Sequence, residues 1–280
     1  MTAVLCFDIE TIPDIVGLRA LETCDESLDD AAVAEQAFAG RREKTGSDFL
    51  PLYLHRVAAI SVLLRTGDKE LSLCTLGDPG DDERTLVQSF YRLIDEHTPQ
   101  LVSWNGGGFD LQVLHYRALV NGVYAERYWE QGEHDREFRF DNYLNRYHSR
   151  HLDLMDLLAL YTPRANAPLD ALAKLCGFPG KQGMDGSQVW PAWQQGRIAD
   201  IRAYCETDVA NTWLMFCRFQ TMRGAWPRKR YEEEVERLRT FVSAQAPKAV
   251  HWQEFLQGWD ASQRLSRLRR TDAGGSNTSA

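Results

Sequence analysis

The hydrophobic pattern in the first part of the chain predicts buried β-strands. Residues 3–10 form an almost continuous apolar run, AVLCFDIE, which indicates a strand that is buried on both faces. Two further β-rich runs, at residues 55–66 and 70–77, are separated by TGDK, whose Gly and Asp are typical of a hairpin turn. The run QLVSWN at residues 100–105 predicts another buried strand, and a glycine loop follows it.

The remaining segments have the apolar period of α-helices. This period predicts a helix at 81–97 and another at about 109–121. Within residues 197–219 the apolar or semi-apolar positions 198, 201, 205, 209, 212 and 216 fall on one face of a helix. Further helices are predicted at residues 151–161, 169–178 and 230–244.

The order of these elements predicts the fold class and the domain organisation. Strands come first, a strand–helix alternation follows and helices end the chain, which favours an α/β domain over residues 1–220 with a central mixed sheet flanked by helices. We predict a solvated helical insertion at about 14–50, because residues 14–48 carry nine acidic and four basic residues. A helical C-terminal extension is predicted at 221–270, and a disordered tail at 271–280, which lacks core-forming residues.

Composition and charge narrow the function. With 280 residues, of which 44% are hydrophobic, the chain can bury a sizeable core. The net charge of −8 excludes a basic coat over the whole surface but is compatible with a local basic face. The six cysteines lack zinc-binding spacing, so we interpret them as reduced core thiols. Neither a secretion signal nor an apolar run long enough to span a membrane is visible, so we expect a cytoplasmic protein with no membrane partner.

Two acidic residues stand at the end of the first predicted strand. Asp8 and Glu10 are two positions apart, so their side chains point to the same side of the strand, whereas Ile9 points to the opposite side. Neighbouring carboxylates repel each other, which raises a pKa or requires a cation between them. Hard oxygen ligands suit Mg²⁺ or Mn²⁺ better than zinc. Taken alone, the pair is better explained as two acids at an exposed strand end than as a metal site.

A third acid, Asp110, follows the strand that ends at Asn105. The three glycines at 106–108 permit a sharp turn and the close approach of another group. Asp110 would then begin a helix and point back toward the strand ends. The dipole of the helix also favours an acid at this position without any further role.

A fourth acid, Asp208, lies on a predicted core-facing helix, one turn after Tyr204 on the same face. A carboxylate among apolar neighbours is costly unless a partner or a metal ion compensates its charge. A hydrogen bond from the tyrosine or a salt bridge to an arginine would also explain it. Together, however, the four acids come from distant parts of the chain and converge, as is needed to hold two divalent ions ~3.5–4 Å apart for attack on a phosphodiester.

Three short motifs resemble a known group of enzymes. FDIET, NGGGFD and YCETD resemble the three motifs of the DEDD superfamily of 3′–5′ exonucleases, in its tyrosine-containing (DEDDy) branch. The wider pattern, in the segments FLPLYLHRVAAIS, NRYHSRHLDLMDLL and KQGMDGSQVW, is similar to predicted 3′–5′ exonucleases related to the proofreading domain of family-B DNA polymerases. The resemblance runs from about residue 4 to about residue 220 and implies an RNase H-like fold.

The resemblance implies a role for each motif residue. Asp8 would bridge two metal ions, Glu10 and Asp208 would bind the ion that activates water, and Asp110 would serve the second ion. Tyr204 would position the attacking water and help to accept its proton. The implied cofactors are two divalent cations, Mg²⁺ or Mn²⁺.

Substrate contacts are predicted around these motifs. Thr11 has a backbone and a hydroxyl that could meet the terminal nucleotide, and Lys181 lies in a glycine-flanked loop from which it could reach a phosphate. Residues 138–151 interleave basic and aromatic side chains, which suits the binding of a single strand, although an ordinary polar edge is the alternative. The predicted contacts are Thr11, Asn105, Phe109, Arg146, Tyr147 and Lys181.

The sequence therefore predicts a metal-dependent enzyme that removes nucleotides from the 3′ end of a single strand, with DNA favoured, and releases nucleoside 5′-monophosphates. An RNase or oligonucleotide hydrolase with the same chemistry is one alternative. A non-catalytic nucleic-acid-binding module of this fold is another, although no acid of the motifs is lost. Asp153 and Asp156 would share a helix face, where capping or a surface position is favoured over catalysis.

Overall fold

The computed structural model describes residues 3–21, 26–67, 71–181 and 183–274. Their strands form one sheet with the order β3-β2-β1-β4-β5. β1 pairs antiparallel with β2 and parallel with β4, β2 pairs antiparallel with β3, and β4 pairs parallel with β5. The strands are β1 (Val4–Pro13), β2 (His55–Arg65), β3 (Leu71–Thr75), β4 (Gln100–Ser103) and β5 (His151–Asp153).

Helices cover both faces of this sheet, so the predicted α/β class, a central mixed sheet flanked by helices, is confirmed. The α-helices are α1 (Ile15–Leu21), α2 (Asp30–Thr45), α3 (Glu83–His97), α4 (Asp110–Asn121), α5 (Glu126–Trp129), α6 (Leu154–Leu158), α7 (Leu169–Leu175), α8 (Val189–Gln194), α9 (Ile198–Met222), α10 (Arg228–Gln245) and α11 (Val250–Gly274). Short 3₁₀-helices lie at Leu52–Leu54, Arg136–Arg139, Pro163–Ala165 and Gly186–Gln188.

The alternation of side chains along β1 separates two hydrophobic layers. Leu5, Phe7 and Ile9 pack into a core that α3 and α4 complete. Cys6, from the opposite face, belongs to the core that contains the apolar side of α9. Because alternate residues of a strand share a face, Asp8 and Glu10 point toward α9.

The prediction of a helix over 151–161 is wrong at its start. His151–Asp153 forms strand β5, which pairs with Leu101, Val102 and Ser103 of β4. The helical period of the segment belongs to α6 alone, which begins at Leu154. Asp153 is the N-cap of α6 and accepts hydrogen bonds from the backbone N–H groups of Met155 and Asp156, so it does not share a helix face with Asp156.

The insertion after β1 contains two helices, as predicted, but it is not simply solvated. Leu18 of α1 and Val33 of α2 pack with Leu50 and Leu54 in a small core of their own. Asp14 is buried and accepts a hydrogen bond from Arg117 of α4 at 2.5 Å. A buried ion pair thus fastens the start of the insertion to the main domain.

The predicted C-terminal extension packs on the same core as α9. Trp252, Phe255 and Trp259 of α11 are buried in the cluster that contains Trp213 of α9. Helix α11 continues to Gly274, so the first four residues of the predicted disordered tail, 271–274, are helical. Residues 275–280 lie outside the described residues, as do residues 68 and 69 of the predicted hairpin turn and residue 70, the first of the predicted β-rich run 70–77.

No helix in the described part of the chain combines the length and the apolar character that a membrane crossing requires.

The buried ion pairs of Arg117 predict a large effect on stability. Arg117 donates to Glu83 at 2.6 and 2.7 Å as well as to Asp14, and all three are buried. Arg117→Met should lower the free energy of unfolding by about 3–5 kcal/mol, because two buried carboxylates lose their cation. Urea unfolding measures this change. The control is Arg92→Met, whose guanidinium is exposed and lies 3.9 Å from Glu96, and equal effects of the two substitutions would contradict the prediction.

Candidate active site

Strand β1 and helix α9 bring carboxylates together at one edge of the sheet. Carboxylate oxygens of Asp8 and Glu10 and the Sγ atom of Cys205 all lie within 4.8 Å of one another. Glu10 and Asp208 are buried, and Asp8 is partly exposed. The predicted convergence of Asp8 and Glu10 on one side of β1 is therefore observed, and α9 supplies the wall that they face.

Asp110 is held against the same strand by a backbone contact. It is the first residue of α4, and its Oδ1 accepts a hydrogen bond from the N–H of Ile9 at 3.1 Å. Ile9 lies between Asp8 and Glu10 in the chain. This hydrogen bond places the carboxylate of Asp110 beside the two carboxylates of β1. Asp110 thus points toward the strand end, as the sequence analysis expected.

The loop before Asp110 depends on close packing more than on unusual glycine conformations. The residue with a left-handed backbone is Asn105, at φ 70°. A Cβ atom on Gly106 would lie 2.3 Å from the hydroxyl of Ser103, so a larger residue cannot fit there. The N–H groups of Asn105 and Gly107 donate to the two carboxylate oxygens of Asp153 at 3.0 and 2.9 Å. Asp153 therefore anchors the loop and caps α6, which agrees with the capping role favoured above.

Helix α9 carries Tyr204 and Asp208 on one face, and Lys181 lies against both. The Nζ of Lys181 is 3.2 Å from Oδ2 of Asp208, and it donates to the hydroxyl of Tyr204. The other oxygen of Asp208, Oδ1, is buried without a hydrogen-bond partner among the described residues. The structure thus brings together all five predicted catalytic residues and adds Lys181, which was predicted only as a phosphate contact.

The electrostatics of this cluster demand a cation. Burial raises the pKa of Asp8 and of Glu10 well above the usual range, and the neighbouring carboxylates raise both further. Burial also raises the pKa of Asp208, although Lys181 opposes this rise. For Asp110, burial raises the pKa to about 7, against the hydrogen bonds from its own N–H and that of Ile9. The ammonium of Lys181 offsets only part of these shifts, so without a further cation the cluster favours protonated acids.

The donor set fits divalent cations that prefer oxygen. Carboxylates are the ligands that Mg²⁺ and Mn²⁺ favour, and the unpartnered oxygen of Asp208 is the kind of buried acceptor that such an ion satisfies. The thiol of Cys205 is not an obvious ligand, because burial and the charges of Asp8 and Glu10 raise its pKa well above the usual value. Its Sγ lies 3.3 Å from the carbonyl oxygen of Asp8 and donates to it. The sequence identified Cys205 as a core thiol but not as a contact of Asp8.

A cleft of about 1090 Å³ opens beside Glu10 and contains three of the predicted substrate contacts, Thr11, Asn105 and Phe109. The opposite wall comes from the insertion, through residues such as Phe38 and Phe49, and from Trp190 of α8. The acidic insertion therefore faces the candidate site, although its composition had suggested only a solvated surface.

His55 is a residue of this cleft that the sequence analysis missed. Its Nδ1 accepts a hydrogen bond from the hydroxyl of Thr11 at 2.9 Å, and its Nε2 donates to the carbonyl oxygen of Leu50 at 3.2 Å. Burial lowers the pKa of His55, so the ring stays neutral and fixes the orientation of the Thr11 hydroxyl. The pairing of Pro13 with His55 places the start of β2 beside the end of β1. The antiparallel pairing of β1 with β2 is the signal from which His55 could have been found.

Two predicted substrate contacts lie elsewhere. Arg146 forms an ion pair with Asp156 at 2.6 Å and packs over the ring of Tyr161, and Tyr147 packs against the same ring at 5.0 Å. Neither Arg146 nor Tyr147 is among the described residues that line the cleft. Their contacts agree with the alternative interpretation of this segment as a polar edge, and their role in binding stays a prediction.

Comparison with known proteins identifies the family. Residues 47–259 match a family described as "Predicted 3'-5' exonuclease related to the exonuclease domain of PolB". This range is more than half of the chain, and the protein therefore belongs to that family of predicted 3′–5′ exonucleases. The range contains Asp110, Lys181, Tyr204 and Asp208, whereas the strand that carries Asp8 and Glu10 precedes it.

Among solved structures, the chain is similar to the family B DNA polymerase from the hyperthermophilic archaeon Pyrobaculum calidifontis. The identity is 19% and the TM-score is 0.42 over 76% of this chain, which spans 24% of the length of the polymerase. No curated protein matches the sequence.

The raised carboxylate pKa values predict how stability depends on pH in metal-free buffer. An aspartate has a pKa of about 3.9 when unfolded, and that of Asp110 is about 7 in the folded protein. Between these values the folded state binds more protons, so this residue makes the free energy of unfolding fall as pH rises from about 4 to about 7. Asp110→Asn should remove part of this fall, since an amide does not titrate.

Unfolding by urea in EDTA at a series of pH values measures the difference between wild type and variant. Mn²⁺ added at pH 7.5 should stabilise the wild type by about 2.7 kcal/mol at a hundredfold excess over its Kd, and the variant by less at the same concentration. Parallel pH profiles and equal stabilisation by Mn²⁺ would contradict the assignment of Asp110 to the cluster.

Proposed function

We propose that this protein hydrolyses phosphodiester bonds at the 3′ end of single-stranded nucleic acid, with DNA favoured, and releases nucleoside 5′-monophosphates. The observation that carries the proposal is the cluster of four carboxylates from β1, α4 and α9. One buried oxygen of Asp208 in this cluster is unpartnered among the described residues, and a cleft opens beside Glu10. Membership of a family of predicted 3′–5′ exonucleases supports the polarity of the reaction.

The acids would hold two divalent cations. Asp8, Glu10, Asp110 and Asp208 would be the ligands, with Asp8 shared between both ions. When bound, such ions lower the pKa of a water molecule and stabilise the charge that develops on the phosphate. Burial favours tight binding of the cations, because water stabilises the charges of buried acids poorly and a bound cation compensates them.

Tyr204 would orient the attacking water. Burial and the carboxylates of Asp208, Glu10 and Asp8 raise the pKa of Tyr204, so its hydroxyl remains protonated. A neutral hydroxyl can accept a hydrogen bond from water and hold it in line with the phosphorus. The loss of a proton from water would then be assisted by the carboxylates around it rather than by a tyrosinate.

Lys181 would supply the positive charge that a phosphate needs near Tyr204. Burial alone would lower the pKa of Lys181, but the carboxylates of Asp208, Asp8 and Glu10 outweigh this effect and raise it. The ammonium therefore stays charged at neutral pH. With cations bound at Asp208, this ammonium would be placed to contact the phosphate of the terminal nucleotide. Thr11, Asn105 and Phe109, which line the cleft, would contact its sugar and base.

The direct test uses purified protein and 5′-labelled single strands of DNA and RNA, with Mg²⁺, Mn²⁺ or EDTA. A ladder that shortens from the 3′ end and disappears with EDTA supports the proposal. Faster hydrolysis of RNA would assign the protein to the RNase alternative. Binding without hydrolysis under every metal condition would favour a non-catalytic nucleic-acid-binding module.

The shared ligand Asp8 predicts complete loss of turnover. Asp8→Ala should abolish hydrolysis with either metal ion, because a two-ion site fails without the acid between the ions. The fold should survive, since one fewer carboxylate relieves repulsion in the metal-free state. Rates are measured on the labelled strand and folding by urea unfolding. Asp200→Ala, which removes an exposed acid of α9 that is paired with Arg197, is the control and should retain activity. A near-normal rate for Asp8→Ala would overturn the assignment.

Tyr204 and Asp208 should differ in their effects on metal binding. Tyr204→Phe removes only the hydroxyl that would orient the water, so single-turnover rates should fall by about 10²-fold while Mn²⁺ affinity is retained. Asp208→Asn replaces a charged ligand with an amide and should weaken Mn²⁺ binding itself. Titration calorimetry and single-turnover kinetics on both variants separate the roles. If both lost metal affinity equally, Tyr204 would act only as a support for Asp208.

A further inference from the structure

Two segments of the chain place aromatic rings around the mouth of the cleft. Phe49, His55 and Phe109 contact one another, with ring centroids 5.0 Å apart for Phe49 and His55, 5.3 Å for His55 and Phe109, and 5.8 Å for Phe49 and Phe109. The hydroxyl of Thr11 contacts His55. Because Thr11 follows Glu10 in β1, the ring cluster lies next to the strand that carries the carboxylates. Phe49 is 53% exposed, which leaves one side of the cluster open.

A second pair of rings continues outward along the same two segments. Tyr53 and Tyr116 meet edge to face with centroids 6.5 Å apart. Tyr53 lies in the 3₁₀-helix that ends just before His55, and Tyr116 lies on α4, seven residues after Phe109. They are 50% and 42% exposed. Each segment thus contributes one ring near the carboxylates and one farther away.

The spacing of these rings suits a nucleic-acid strand. Tyr116 lies six residues after Asp110, the first residue of α4, which corresponds to about 9 Å along the helix axis. Bases in a stacked strand repeat at about 3.4 Å, so two to three base intervals fit along this length of α4. A base on Tyr116 would then lie two to three nucleotides upstream of the one at Phe109.

Basic side chains near the rings suit a nucleic acid better than an apolar protein partner, and the acids that the insertion contributes to the cleft, Glu35 and Asp48, are paired with Arg42. Arg41 donates from Nε to the carbonyl oxygen of Phe49 at 3.0 Å, which brings a guanidinium to the outer edge of the ring cluster. Phosphates that follow bases along the rings would pass this positive charge. Leu119 and Val120, farther along α4, are exposed as well and would suit self-association, which the test below includes as an outcome.

We propose that Phe49, Tyr53 and Tyr116 form a stacking track for the bases upstream of a 3′ end held in the cleft. The proposal rests on the proposed function and adds to it the path of the strand. Stacking on rings does not select a base, because every base has a π-face. Both faces of a base are covered in a duplex, so the track favours unpaired ends and substrates of at least three or four nucleotides.

The test compares substrates that differ only in length. Initial rates with Mn²⁺ are measured on a thymidine dinucleotide, which ends before Tyr116, and on an octanucleotide, which reaches it. In Tyr116→Ala the ratio of kcat/KM for the octamer to that for the dimer should fall about fivefold or more, as expected for loss of a stacked base. Tyr116→Phe keeps the ring and should restore the wild-type ratio. Tyr124→Ala removes a more exposed ring just after α4, and its ratio should match the wild type.

Three outcomes would overturn the track. In the first, both rates and their ratio stay at the wild-type values in Tyr116→Ala. In the second, dimer and octamer lose rate equally, which would mean that the ring only stabilises the structure of the site. Alternatively, sedimentation could reveal a wild-type dimer that Tyr116→Ala dissociates, with the ratio unchanged. Absence of hydrolysis by the wild type would instead reject the proposed function. Anisotropy of a labelled octamer with Ca²⁺, with and without Tyr116→Ala, would then test the track by binding alone.

Discussion

The structure is organised around the mutual repulsion of buried carboxylates. Asp8, Glu10, Asp110 and Asp208 come together in one place, and in the part of the chain that the structure describes one ammonium, that of Lys181, contacts Asp208. Burial and proximity raise the pKa of every one of these acids. Without bound cations this arrangement is unfavourable. The surrounding fold must hold the acids in place until cations compensate their negative charge.

The anchors that hold the acids are mostly backbone interactions, and they come from neighbouring parts of the sheet. The N–H of Ile9 fixes Asp110, and Asp153 fixes the loop before it through two N–H groups. The length of α9 and its packing across β1 set the position of Asp208. The acids therefore lie on rigid elements of the fold. The other segments that line the cleft lie beside these elements and do not support them.

Much of this arrangement could be predicted from the sequence, because it depends on local periodicity. The two-residue spacing of Asp8 and Glu10 determines their common direction, and the four-residue spacing of Tyr204 and Asp208 does the same on a helix. Strand β5 was missed because three residues are too few to show a period before α6 begins. His55 and the wall formed by the insertion were missed for another reason: their place depends on strand pairing and on contacts between distant segments, which composition does not reveal.

The pairing of Pro13 with His55 fixes the ends of the insertion side by side. Antiparallel neighbours are commonly joined by a tight hairpin, yet here residues 14–54 make the connection. Closing a longer loop costs little, about 0.6 kcal/mol for each doubling in length. The insertion, which forms one wall of the cleft, thus has both of its ends fixed by the pairing of β1 with β2. Its length and sequence can change over evolution while the register of β1, and with it the position of the carboxylates, remains the same, so that substrate range and chemistry can be altered independently.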